Sequence, residues 1–122
     1  MVDNTLTNEL IYAADPEMLN DLLNKKFVIP MLDKVETIED MQVASEMMGR
    51  IVGYLQFLTP VYTILEIRTQ NYKDSGEKTE YKLMMQRRNV VKSVCDTLNK
   101  QRETLSRMVT IKQEINKEIS MF

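Results

Sequence analysis

Twelve cations crowd the second half of this 122-residue chain: Arg68, Lys73, Lys78, Lys82, Arg87, Arg88, Lys92, Lys100, Arg102, Arg107, Lys112 and Lys117. Tyr72 and Tyr81 flank a polar stretch in the same region. Lys and Arg neutralise phosphates and make binding sensitive to salt, and tyrosine rings can stack on unpaired bases. The chemistry these types suggest is sequence-independent binding of single-stranded nucleic acid. Its candidate contacts are Arg68, Lys73, Lys78, Arg87, Arg88, Arg107 and Lys112. For any one of these residues the plainer reading is a solvated helix face, because acidic residues are interleaved.

Residue types that would do catalysis are missing from the pattern. With no His and one Cys, a Ser-His-Asp or Cys-His arrangement and a His/Cys metal site are excluded. Gly49, Gly53 and Gly76 are too far apart to form a phosphate-binding loop. The carboxylates Glu36, Glu39 and Asp40 read as complementing a helix start, and Glu114 and Glu118 as a solvated face. The expectation is a non-enzyme with no catalytic residues, no metal and no cofactor. Cys95, alone on its helix beside Val94, reads as a small, partly buried residue in a reducing compartment.

Charge is divided along the chain. Residues 1–66 carry four basic and eleven acidic side chains, a balance of −7, and residues 67–122 carry twelve and seven, a balance of +5. A dipolar chain of this kind can stack head to tail or offer its basic part to a polyanion. Hydrophobic residues make up 43% and charged ones 28%, the profile of a folded chain. Three Gly and three Pro are too few for a turn-rich β protein. The polar start, Met-Val-Asp-Asn-Thr, does not read as a secretory leader. No apolar run is long enough to span a bilayer, so a cytoplasmic protein without membrane contact is expected.

The elements that must position these residues are helices. From about Thr79 to Phe122 there is no Gly or Pro, and apolar residues recur at Tyr81, Met84, Val91, Val94, Leu98, Leu105, Met108, Ile115 and Ile119. Steps of three, four or seven predict one amphipathic helix, roughly 60 Å long. Such a helix is expected to outrun its own chain and to oligomerise through Val91, Val94, Leu98, Leu105, Met108 and Ile115. Upstream, Leu6, Leu10, Ile11 and Tyr12 suggest a short helix or arm. Asp15-Pro16-Glu17 is a helix start, and Leu19, Leu22, Leu23 and Phe27 form one face until Pro30 ends or kinks the helix. A turn through Met31 and Leu32 is expected to follow.

Thr37 is a candidate cap for a second long helix, with Glu39 and Asp40 in its first turn. Its stripe reads Met41, Ser45, Met48, Val52, Leu55, Tyr62 and Leu65, running through Pro60 with a kink. Gly49 and Gly53, one turn apart, suggest a close helix crossing. Residues 73–78 read as the loop that joins the two long helices into an antiparallel hairpin. The expected architecture is all-α and a single domain: an arm and short helices over 1–36, then a helical hairpin over 37–122 with its loop at 73–78.

Ser106-Arg107-Met108-Val109-Thr110-Ile111-Lys112, within residues 103–116, resembles the C-terminal helix of the UvsY-type recombination mediators of tailed phages. A looser likeness extends over residues 41–120. The resemblance implies an all-helical ring oligomer in a phage-infected cell. It also implies single-stranded DNA binding, and loading of a recombinase onto DNA coated by a single-strand-binding protein. Ser106, Arg107, Ile111 and Lys112 carry it. The acidic N-terminal segment and the less basic region before the loop depart from that family. Two further readings stand beside it. The acidic, Met-rich first half, with Met41, Met47 and Met48, could make a phage-encoded inhibitor that binds the basic groove of a host nucleic-acid enzyme or defence factor. The long helix could also serve only to assemble copies of itself.

Overall fold

The computed structural model describes residues 15–120, and these are all-helical, with no strand among them. Three helices follow in order: α1 (Pro16–Lys26), α2 (Ile38–Ser75) and α3 (Lys78–Ser120). The short helix or arm expected around Leu6–Tyr12 lies outside the described residues.

α1 and α2 each start where a side chain can satisfy free N–H groups. Asp15 caps α1, its carboxylate accepting from Met18 N–H at 2.8 Å, with Pro16 in the first turn. A reciprocal pair caps α2. Asp40 N–H donates to Thr37 Oγ1 at 3.0 Å, and the Asp40 carboxylate accepts from the N–H groups of Thr37 and Glu36 at 3.1 and 3.0 Å. Those two backbone donors hold the Asp40 carboxyl below the ordinary carboxylate range.

Two long helices pack on each other, and α1 packs on α3. Their contact follows a seven-residue rhythm. Ala44, Ile51, Leu58 and Leu65 are fully buried on α2, and Met84, Val91, Leu98 and Leu105 are buried on α3. Repeats of seven keep one seam facing its partner over many turns. Leu19 and Leu23 of α1 join this core, followed by Phe27, Ile29 and Val35. The Phe27 ring meets Tyr54 edge-on at 5.1 Å and stacks near Phe57 at 5.8 Å. Residues 28–36 are irregular, with a bend at Asp33 and no turn at Met31 and Leu32, and Gln101 Nε2 donates to Ile29 O at 3.3 Å to tie them to α3.

Several expectations are corrected. The buried stripe of α2 is Ala44, Ile51, Leu58, Val61, Leu65 and Thr69. Met41, Met48, Val52, Leu55 and Tyr62 flank it half-buried, and Ser45 is exposed. Apolar residues cover more than one face of α2, so spacing alone selected a neighbouring line. Thr69 is absorbed because its hydroxyl donates to Leu65 O at 2.6 Å. The connection is also shorter than 73–78: Lys73, Asp74 and Ser75 are helical, and only Gly76 and Glu77 lie between the helices. Gly76 adopts φ 75°, with Gly76 N–H donating to Lys73 O and Glu77 N–H to Tyr72 O, the left-handed close that glycine makes at least cost. α2 runs unbroken through Pro60.

Gly49 and Gly53 do not mark a helix crossing. A Cβ added at either would meet nothing within 4 Å. Each glycine therefore costs helix stability without returning a contact. Gly49→Ala and Gly53→Ala are expected to raise stability by about 1 kcal/mol each, read from urea unfolding. A loss of stability would mean that these positions are packed. Asp40 supplies a pH test. Its carboxyl is depressed in the folded state, so its stabilisation is present above the unfolded value and lost as pH falls through the lower folded one. Asp40→Asn should therefore be less stable than the parent at neutral pH, with the gap closing in acid; a gap independent of pH would contradict the capping role.

Candidate nucleic-acid interface

Four of the residues named for phosphate and base contact meet where α2 passes into α3. Tyr72 and Lys73 come from the last turn of α2, and Lys78 and Tyr81 from the first turn of α3. With Gly76 they line one depression of about 220 Å³. Both lysines are exposed and both tyrosines half-buried. Because the connection is only two residues long, it sets the two helix ends side by side. Ser75 Oγ lies 3.2 Å from both Tyr72 O and Glu77 Oε2, and its one proton is shared between these two acceptors across the turn. Cations beside partly exposed rings can hold a phosphate and cover a base face.

The remaining candidates are scattered. Arg68 is half-buried one turn before Tyr72, and Arg88 is half-buried with Nη2 donating to Asn89 Oδ1 at 3.3 Å. Arg107 is exposed roughly 45 Å further along α3 than Lys78, beside a shallow hollow lined by Met48, Val52, Arg102, Glu103 and Ser106. Lys112 is half-buried another turn on. No one surface gathers all seven.

Arg87 is corrected outright: it is 8% exposed and belongs to the packed face of α3. The signal was present in the sequence, since Arg87 lies three residues after Met84 and four before Val91. At that exposure a phosphate outside the fold cannot reach it freely.

The assembly surface is corrected too. Val91, Val94, Leu98 and Leu105 are buried inside the chain's own core, and Met108 packs half-buried against it. Of the six residues expected at an oligomer seam, only Ile115 is exposed, at 44%. Ile111 at 50% and Ile119 at 67% accompany it. The expectation failed because spacing reveals a stripe but not what covers it; α2 and α1 cover this one as far as Leu105.

Cys95 is half-buried, and burial together with the neighbouring Asp96 carboxylate pushes its thiol above the ordinary value. Among the described residues no group of three or more His, Cys, Asp or Glu side chains could hold a metal ion. No helix among them is long and apolar enough to cross a membrane. Cys95 should react with a thiol reagent near pH 8 more slowly in the native protein than in urea. Equal rates would show a thiol neither buried nor raised.

Comparison of the chain with protein-family models, with characterised proteins and with solved structures finds no significant match in any of the three.

Proposed function

We propose that this chain is an oligomeric, non-enzymatic accessory protein that binds single-stranded DNA and helps to load a recombinase onto DNA coated by a single-strand-binding protein, in the cytoplasm of a phage-infected cell. In this reading α2 and α3 form an antiparallel hairpin. Its connection end meets the DNA, and the far end of α3 meets other copies. The observation that carries the DNA contact is the convergence of Tyr72, Lys73, Lys78 and Tyr81 around one depression. Lysines would take phosphates and tyrosines would stack on bases, with no base identity read. Arg68 and Arg88 extend the charge along the two helices. The likeness of Ser106–Lys112 to the mediator helix supplies the recombinase-loading role.

A second reading is favoured by the surface of the first half. Between Asp15 and Glu46, every acidic residue except Asp40 is exposed. That face could occupy a basic groove on a host nucleic-acid enzyme or defence factor by charge complementarity.

Fluorescence anisotropy with labelled oligo-dT across a salt series separates the two. The parent should bind more weakly as salt rises. Lys73→Ala with Lys78→Ala should weaken binding and flatten the log–log salt slope by about 1.4, the value for two single-strand phosphate contacts. A parent with no affinity at low salt would end the DNA reading and leave the acidic face as the binding surface.

A further inference from the structure

α1 packs on α3, and between them sits a pocket of about 140 Å³ that none of the surfaces described above uses. Asn20 and Asn24, one turn apart on α1, line one side. Ser93, Thr97 and Gln101, each one turn from the next on α3, line the other. Phe27, Ile29, Val94 and Leu98 supply its apolar part, each less than a tenth exposed. No ionisable side chain is among its lining residues. Thr97 lies roughly 28 Å along α3 from Lys78, so the pocket is separate from the hollow at the connection.

We propose that this pocket receives one pyrimidine base, either from a free nucleoside or from a single strand. Size sets the first limit. An apolar cavity of about 150 Å³ takes one benzene ring. A pocket of about 140 Å³ therefore admits a single six-membered ring and not the fused rings of a purine. Absence of charge sets the second. An ionised group brought among these residues would lose water without gaining a counter-charge, so the ring is neutral and any phosphate stays outside.

Hydrogen bonding sets the third limit. A primary amide presents a donor beside an acceptor, which complements the edge of a pyrimidine. Enzymes that extrude a base hold it in the same way, by hydrogen bonds to that edge and apolar contact with the ring. Gln101 Nε2 donates to Ile29 O at 3.3 Å, which orients the side chain and leaves Oε1 to accept. Asn20 and Asn24 are exposed and open to a ligand. Thr97 Oγ1 donates to Ser93 O at 3.0 Å, so this hydroxyl offers a ligand only its lone pairs. A hexose would set hydroxyls against Val94 and Leu98, whereas the flat face of a base would not. The inference does not rest on the DNA reading, since free thymidine should enter whether or not the connection end holds a strand.

NMR of the isotope-labelled protein titrated with thymidine tests this, because the side-chain amide signals of Asn20, Asn24 and Gln101 report directly. These signals and the backbone amides of Thr97 and Leu98 should move together along one weak, millimolar-range curve. Asn24→Leu, an exchange of similar size at an exposed position, should weaken binding about tenfold, the loss expected of one or two hydrogen bonds, with helicity by circular dichroism unchanged. Adenosine and glucose should leave the signals in place. Adenosine moving them as readily as thymidine overturns the single-ring limit and the proposal with it. So does an Asn24→Leu variant that binds like the parent, or a thymidine titration that moves no pocket signal. Oligo-dT moving the same signals identifies a base of a strand as the ligand. Oligo-dT that moves only Tyr72 and Tyr81, where thymidine moves the pocket, identifies a free nucleoside. Oligo-dT bound at the connection, with thymidine inert at the pocket, overturns this inference and leaves the DNA reading intact.

Discussion

Everything in this fold hangs from the seam between α2 and α3. Ala44, Ile51, Leu58 and Leu65 on α2 and Met84, Val91, Leu98 and Leu105 on α3 each repeat every seven residues, and all eight are buried. Neither helix could persist alone at its length in water; long amphipathic helices draw most of their stability from the face they bury. Seven-residue spacing under-winds each helix slightly and keeps the two faces together for about 30 Å. Because that face is spent inside the chain, whatever the protein binds must be met by the remaining surfaces.

Those surfaces differ in kind from one end of the molecule to the other. At the connection, a two-residue turn closed by Gly76 places lysines and tyrosines from both helices around one hollow. At the far end of α3, three isoleucines emerge past the limit of intramolecular cover. Between Asp15 and Glu46 lie exposed carboxylates. The cationic hollow and the exposed isoleucines lie at opposite ends of α3. This separation follows from helix length and the short connection.

Much of the architecture was legible in the residue order, and the failures have physical causes. Asp15-Pro16 and Thr37 with Asp40 announced two helix starts because an N-cap oxygen is a local device, readable within four residues. The α3 stripe was legible because that helix is polar on its other faces. On α2 the stripe was read one line away from its true position except at Leu65: Met41, Met48, Val52 and Leu55 are as apolar as the seam itself, while Ala44 and Thr69, which do lie in it, carry weak hydrophobic signals. Lys73-Asp74-Ser75 looked like loop because it is polar, yet polarity is what an exposed last turn of helix requires; the residue that ends α2 is Gly76. Lys73, Lys78, Tyr72 and Tyr81 lie together because all four flank the turn. Arg87 and the seam from Val91 to Leu105 were misassigned, because type and spacing reveal that a face is apolar or charged and say nothing of whether the same chain covers it.

Amide hydrogen exchange along α3 in dilute solution tests this account most directly. If the helix is held by burial against α2 and α1, protection should be high from Met84 to Leu105 and should fall steeply beyond Thr110, where side chains lose their cover. Even protection from Lys78 to Ser120 at concentrations where the protein is monomeric would contradict the division of α3 into a buried core stripe and an exposed end. Low protection throughout would contradict the seam itself.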